Sequence, residues 1–199
     1  MDFLALIILI IGFGIQLLTK TRSDENRSGF FGFWLFIVAV ILIFDFAIYQ
    51  SYEQYISWKS NELTKLFLPP YQNWNYFILY IRTRFFNPYL LSLFFAVIFL
   101  YLAKKYNKKY QEKFMEKIEP YLLGISIFTI GQPGWLFYVI LLLLTALIFQ
   151  AIKVISYKLL VISSEGRLSL YYFWLPIAIS TIISSRWLEQ LHLWQFLKF

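Results

Sequence analysis

The stretch Trp135 to Ile152 reads WLFYVILLLLTALIFQAI, eighteen residues without a single charge. As an α-helix it would be about 27 Å long, because each residue adds 1.5 Å along the axis. That length is close to the thickness of the hydrocarbon layer of a bilayer. The stretch therefore predicts a membrane-spanning helix.

The composition of the whole chain agrees with this prediction. Of its 199 residues, 60% are hydrophobic and only 15% are charged, whereas a soluble domain has about 25% charged residues. The apolar residues come in blocks that are long enough to cross a bilayer as helices, and not in the short alternating segments of a membrane β-barrel. The sequence predicts an all-α, polytopic integral membrane protein with about five transmembrane helices plus interfacial or re-entrant amphipathic segments.

We expect a single transmembrane helical domain over residues 1–199. The predicted spans are residues 3–19, 29–49, 87–103, 135–152 and 168–185. The predicted interfacial segments are residues 51–85, 104–130 and 186–199, which mix Trp and Tyr with polar residues as headgroup-level segments do. Asn87 followed by Pro88 predicts the start of the third span, since Asn caps helices and Pro suits their first turn.

A short apolar segment, Tyr121 to Ile130, precedes the block at Trp135. As a helix it would be only about 15 Å long, too short to cross a bilayer alone. It is an interfacial piece, a re-entrant piece or half of a hairpin with the following span. The sequence Gly131-Gln132-Pro133-Gly134 predicts a chain break after it, because Gly and Pro both oppose helix continuation. Length favours five spans, and the sequence leaves open whether this segment crosses.

Basic residues set the predicted orientation. They follow the first span at residues 20–27 and the third span at residues 104–117, and Lys and Arg are enriched in cytoplasmic loops. We therefore expect the N-terminus outside, both basic loops in the cytoplasm and residues 50–85 outside, with the chain integral to the cell (inner) membrane.

The second basic loop carries the candidate contacts to anionic lipids. Among its lysines, large apolar side chains recur at a spacing of four, at Tyr106, Tyr110, Phe114 and Ile118. This spacing predicts one basic helix with an aromatic stripe that lies on an anionic leaflet. The alternative is a solvated extension of the third span. The candidate lipid contacts are Lys104, Lys105, Lys108, Lys109, Lys113 and Lys117.

Asp45 is the acidic residue that falls within a predicted span. A carboxylate at depth often marks an ion or proton path, while one within about a turn of the interface can reach water. Because Asp45 lies four residues from Tyr49, both interpretations stay open: a candidate ion or proton site, or an interfacial or packing residue. The first would need a polar cavity lined by Gln16, Gln150 or the Ser and Thr residues of the last span.

Several kinds of chemistry are not expected. The chain has no Cys and one His, which excludes disulfides and thiolate chemistry and leaves too few ligands for a zinc or haem site. We expect no cofactor, no metal and no nucleic-acid partner, since the basic residues lie in loops where membrane orientation explains them. No catalytic motif is present. A lipid-modifying enzyme would need a polar cleft that the sequence does not reveal.

The sequence therefore predicts a non-enzymatic multi-pass membrane protein. We expect it to act as a subunit or scaffold of a larger membrane assembly, with the lipid bilayer, anionic lipids and other membrane subunits as partners. The alternative is a small channel, or a proton- or ion-coupled transporter, that uses Asp45. The last span should pack inside the bundle, because Ser180, Thr181, Ser184 and Ser185 give it a small, polar side.

Overall fold

A computed structural model describes residues 2–19, 25–110, 115–160, 171–188 and 190. These residues form helices and turns without a β-strand, which confirms the all-α fold class. Three helical stretches are long and apolar enough to span a membrane: Gly29–Ser60, Trp74–Lys109 and Gly134–Ile152. The α-helices are α1 (Asp2–Thr19), α2 (Glu25–Ser60), α3 (Trp74–Ile81), α4 (Asn87–Lys109), α5 (Glu119–Ile130), α6 (Gly134–Leu160) and α7 (Trp174–Leu188).

The short helix α5 lies at the centre of the bundle. Ten of its twelve residues are buried, and it packs against α1, α2, α4, α6 and α7. An interfacial helix would keep one face open to solvent or headgroups. The segment 104–130 is therefore not one surface segment, because its second half is enclosed by other helices.

Helix α5 runs antiparallel to α4 along most of its length. Beside its first turn Lys104 contacts Tyr121, and near its end the hydroxyl of Ser92 donates to the carbonyl of Phe128 at 3.1 Å. Past its end the backbone N–H of Gln132 donates to the carbonyl of Pro88 at 3.2 Å. The end of α5 thus lies at the opposite end of the bundle from Lys104.

The predicted chain break is confirmed. Helix α5 ends at Ile130 and α6 begins at Gly134. Between them Gly131 has φ 74° and ψ 175°, a conformation that is essentially restricted to glycine. The chain turns here, and α6 returns antiparallel to α5, since Tyr138 in α6 and Ser126 in α5 both donate to the carbonyl of Trp174 at 3.3 Å.

Helix α7 packs inside the bundle, as predicted, but not through the small polar side from which the prediction was made, because Ser180 is exposed and, of the four Ser and Thr residues on that side, only Thr181 is buried. Its buried side chains contact α1, α5 and α6. Residues 161–170, which join α6 to the part of the chain before α7, lie outside the described residues. The buried residues of α7 are Trp174, Leu175, Ile177, Ala178, Thr181 and Ile182.

Helix α4 begins at Asn87 with Pro88 in its first turn, as predicted, but Asn87 does not cap a free helix end. A π-helical turn, Arg82–Phe86, joins α3 to α4, so that one helical rod runs from Trp74 to Lys109. In a regular helix Pro88 would lack a donor and its ring would crowd the carbonyl four residues earlier. The wider π turn directly before it, closed by the N–H of Asn87 on the carbonyl of Arg82, lets the helix continue through the proline.

Helices α2 and α3 extend beyond the bundle as a second unit. The 36 residues of α2 amount to about 54 Å of helix, and Phe44 stacks on Phe86 where the bundle ends. Beyond this level, residues 46–86 form what we call the hairpin extension, which includes the 3₁₀ helix Thr64–Phe67. It has its own small core of Trp58, Leu68 and Phe77. The segment predicted to be interfacial, residues 51–85, falls in this extension.

Candidate functional site

Helix α2 has a distinct inward face. Its buried positions recur every three or four residues, which places them on one side of the helix. At Gly32 a Cβ atom would come within 3.0 Å of both Ile118 and Tyr121, so the glycine permits the close approach of α2 to α5. The inward residues of α2 are Gly32, Phe36, Ala39, Ile43 and Ala47.

Asp45 lies on the opposite, outward face of α2. It follows Ile43 by two residues, a rotation of about 200° around the helix, and its side chain is exposed. Within the described part of the chain its carboxylate has no hydrogen bond or ion pair. It interrupts a row of exposed side chains along this face, spaced three or four residues apart, which we call the outward seam. That seam is Trp34, Val38, Ile41, Asp45, Ile48 and Tyr52.

The structure does not bring Asp45 together with the polar residues expected beside it. Gln16 is buried and its side-chain amide donates to the carbonyl of Tyr171, while the Tyr171 hydroxyl donates to the Gln16 carbonyl at 2.9 Å. Gln150 is exposed on α6. The hydroxyl of Thr181 bonds its own helix at the carbonyl of Ile177, at 2.7 Å. The role of Asp45 as an ion or proton site stays a prediction.

The lysines at the end of α4 do not form one continuous helix with an aromatic stripe. Helix α4 ends at Lys109, and the buried side chain of Asn107 bonds both backbone groups of Met115, at 2.7 Å and 3.0 Å. This contact folds the chain back, and Ile118 then enters the main core. The predicted aromatic stripe does not form, because the contact between Asn107 and Met115, eight residues apart, ends the helix before the stripe is complete.

Three of the six lysines line one cavity at this end of the bundle. The cavity has a volume of about 320 Å³ and lies between the start of α2, the end of α4 and the start of α5. The ammonium group of Lys104 bonds the hydroxyl of Tyr121 and lies 3.9 Å from the centroid of its ring. The residues that line the cavity are Gly29, Lys104, Asn107, Lys108, Lys117, Pro120 and Tyr121.

The other candidate lysines have different surroundings. Lys105 and Lys109 are exposed beside Tyr101 and Tyr110, with their ammonium groups 5.9 Å and 5.8 Å from those ring centroids. Neither lines the cavity. Lys113 lies outside the described residues, so its prediction is untested.

The burial of Glu119 was not predicted from the sequence. This carboxylate is 2% exposed, and the indole N–H of Trp174 donates to it at 3.4 Å. It joins α5 to α7 near the start of both helices. The available signal was an acidic residue before Pro120 at the start of an apolar segment, which also fits an ordinary exposed helix start.

Other predictions fall outside the described residues. They concern the basic loop at residues 20–24, the first residues of the last predicted span at 168–170, and the tail from residue 191 onward, including His192. Among the described side chains, no group of three or more His, Cys, Asp or Glu residues comes together.

Comparisons with known proteins return no family model, no curated protein and no solved structure that matches this chain. The geometry of its own residues is therefore the guide to its function.

Proposed function

We propose that this chain is a non-enzymatic, multi-pass membrane protein that works as a subunit or scaffold of a larger membrane assembly. Its partner subunit docks on the outward seam of α2, around Asp45. The observation that carries this proposal is the exposed carboxylate of Asp45 in the middle of an otherwise apolar helix face.

The uncovered apolar surface supports insertion into a membrane. In the most apolar 18-residue stretch of α2, only 28% of the residues are buried. In the corresponding stretches of the α3–α4 rod and of α6 the buried share is 17% each. Contiguous apolar surface on this scale is covered by lipid or by another protein in a stable molecule. Lipid hydrocarbon alone suits the side chains of Val38, Ile41 and Ile48, but it does not suit Asp45.

A partner would relieve the cost of placing Asp45 in this environment. An ionised Asp at the centre of a membrane helix costs about 2.5–3.5 kcal/mol, and the cost falls toward the interface. Asp45 lies one helical turn from Tyr49, near the predicted interface, so the free-energy cost of its charge is lower than at the bilayer centre. A Lys, Arg or hydrogen-bond donor on a partner helix would offset it, because intramembrane charges are usually paired. We therefore infer that the partner carries a basic or donor side chain at this depth.

The helix directions support a topology of six crossings over one of five. Helices α4 and α6 both run toward the end of the bundle that holds Lys104, and α5 runs back between them. With the N-terminus outside, twelve of the 18 Lys and Arg residues would then lie in cytoplasmic loops, in keeping with the positive-inside rule. Helix α5 is short for a crossing, but its burial among other helices shields it from lipid.

The rival function is a small channel or carrier that uses Asp45. That mechanism needs the carboxylate to face a polar path through the bundle. The outward position of Asp45, and the engagement of Gln16 and Thr181 elsewhere, support assembly over conduction.

The test is the mass of the complex that mild detergent extracts from the native membrane. We expect the parent chain to migrate in a complex larger than its own 23.9 kDa plus detergent, and Asp45→Leu to release it. Glu62→Gln is the matched control, because it removes an exposed carboxylate from the connecting loop. Multi-angle light scattering after size-exclusion chromatography gives the protein mass of each sample.

Each outcome bears on the proposal. A parent chain that is monomeric in the extract would remove the assembly function. An intact complex with Asp45→Leu would place the interface elsewhere. Proton flux in liposomes that the parent conducts and Asp45→Asn abolishes would favour the channel instead.

A further inference from the structure

The lysine-lined cavity at the end of α4 has the composition of an anion site. Lys104, Lys108 and Lys117 come from two different segments of the chain and meet around one concave surface. The described residues that line it include no carboxylate. Lys104 and Lys108 place two positive charges one turn apart on this surface, and an anion bound between them would reduce their repulsion.

The cavity is also organised by its surroundings. Asn107 lies at its wall with the side chain fixed by both bonds to Met115, and Lys104 is held over the ring of Tyr121. Gly29 lies close to Lys117, since a Cβ at Gly29 would be 3.4 Å from the Cβ of Lys117. A ligand would therefore meet one cation, Lys104, whose position is set by Tyr121, beside the exposed Lys108.

Exposed apolar side chains lie next to the cavity. On α2, Phe33 lies one turn after Gly29 and packs edge-on to the ring of Tyr121, which lines the cavity. On α4, Tyr101 lies one turn before Lys104 on the same face. Both side chains are exposed. A free phosphate ion would gain nothing from these side chains, whereas the acyl chains of a lipid would pack on them. The site thus offers cations for a headgroup and an apolar wall for its tails.

We propose that this cavity binds the phosphate headgroup of an anionic phospholipid. Lys104 and Lys108 pair with the phosphate oxygens, the hydroxyl of Tyr121 orients Lys104, and the acyl chains run along α2 and α4. The assignment rests on the proposed membrane insertion but not on the partner at Asp45.

Binding can be tested with the purified full chain in a neutral maltoside detergent. The probe is dioctanoyl phosphatidic acid, and affinity is measured by microscale thermophoresis. We expect Lys104→Gln with Lys108→Gln to weaken binding by roughly tenfold or more, because charged hydrogen bonds are lost. Lys105→Gln with Lys109→Gln, which removes the same charge from the same helix outside the cavity, should change affinity less than about twofold.

A second double variant guards against loss of folding. Lys104→Arg with Lys108→Arg keeps both charges and should keep the binding, whereas a purely structural fault would persist. An equal loss in the Lys105 and Lys109 pair would mean diffuse surface attraction and would overturn the cavity assignment.

Two further ligands identify the source of the phosphate. Dioctanoyl phosphatidylcholine has the same tails with a neutral headgroup, and glycerol 3-phosphate has the phosphate without tails; both should bind at least roughly tenfold more weakly. Glycerol 3-phosphate that binds as tightly as the lipid would overturn the lipid assignment. None of these results depends on Asp45, so a failure here and a failure of the assembly proposal are distinguishable.

Discussion

Helix α2 runs through both the bundle and the hairpin extension, but the two units are held together in different ways. Among the described residues the bundle consists of α1, α2, α4, α5, α6 and α7. In the bundle, α5 is almost enclosed, and Gly32 lets neighbouring backbones approach closely. In the hairpin extension the small core of Trp58, Leu68 and Phe77 is held by ring contacts, such as Trp58 with Tyr80 at 4.8 Å between centroids. The bundle therefore depends on dense packing around one helix, whereas the extension depends on a few aromatic pairs.

This difference has a consequence for local stability. Dense cores unfold as one cooperative unit, while segments with few buried contacts open separately at lower free energy. Aromatic pairs contribute about 0.5–1.5 kcal/mol each beyond the area that they bury. We expect the extension to open without unfolding the bundle, and the three predictions below test that separation.

The largest effect is expected at the centre of the bundle. Phe128 in α5 is fully buried against the rings of Phe36, Phe44 and Tyr89. Phe128→Ala should lower the free energy of unfolding of the whole bundle by about 3–5 kcal/mol, because it leaves a cavity. Denaturant titration in detergent, followed by circular dichroism, measures this. Phe3→Ala removes a ring that is 77% exposed and should change it by about 0.5 kcal/mol or less; equal losses would show that α5 is not the core.

A smaller effect is expected at the turn between α5 and α6. Gly131→Ala forces a side chain into a region with φ 74°, which costs about 1–3 kcal/mol. Gly14→Ala in α1 is the control, since no atom lies within 4 Å of its Cβ position and alanine favours a helix. Melting temperatures in detergent should fall for the first variant and stay or rise for the second. If both variants melted alike, the turn would not require glycine.

The smallest effect on the bundle is expected from the extension. Trp58→Ala removes ring contacts with Phe67, Tyr76, Phe77 and Tyr80. The global free energy of unfolding should change by less than about 1 kcal/mol, whereas proteolysis of the loop at residues 61–73 should accelerate by about tenfold, because the extension opens locally. Limited proteolysis and denaturant titration are compared on the same sample.

The control for that comparison is Tyr71→Ala. Tyr71 lies in the same loop and is 58% exposed, so neither measurement should move. A loss in Trp58→Ala as large as that in Phe128→Ala would mean that the bundle and the extension form one cooperative unit.

Local chemistry explains what could be predicted from the sequence. The break at Gly131 depends on Gly and Pro within four residues. The burial of α7 was predicted from its small polar side, but the side that packs carries Trp174, Leu175 and Ile177. Features that depend on residues far apart could not be predicted. The loop after Lys109 is held by the hydrogen bonds between Asn107 and Met115. The spacing of these two residues does not predict that contact.

The burial of α5 and the orientation of Asp45 lay beyond the sequence for a related reason. In an apolar segment the same residues suit lipid and protein surroundings, so hydropathy cannot distinguish them. The available signal for close packing in α5 was its two small residues, Gly124 and Ser126. In α2 the available signal was the small residues Gly32, Ala39 and Ala47, which lie on one side of the helix and identify its inward face. Asp45 lies on the opposite side.

The π-helical turn before Pro88 also keeps the two halves of a long rod in phase. Phe77 in the extension and Tyr89 in the bundle are both buried, yet twelve residues of regular helix would place them about 120° apart. The extra residue that a π turn takes up removes about 100° of that rotation. One inserted residue thus aligns two separate packing faces along a single helix. Its deletion would leave every local helical preference intact while turning the aromatic side of α3 away from α2.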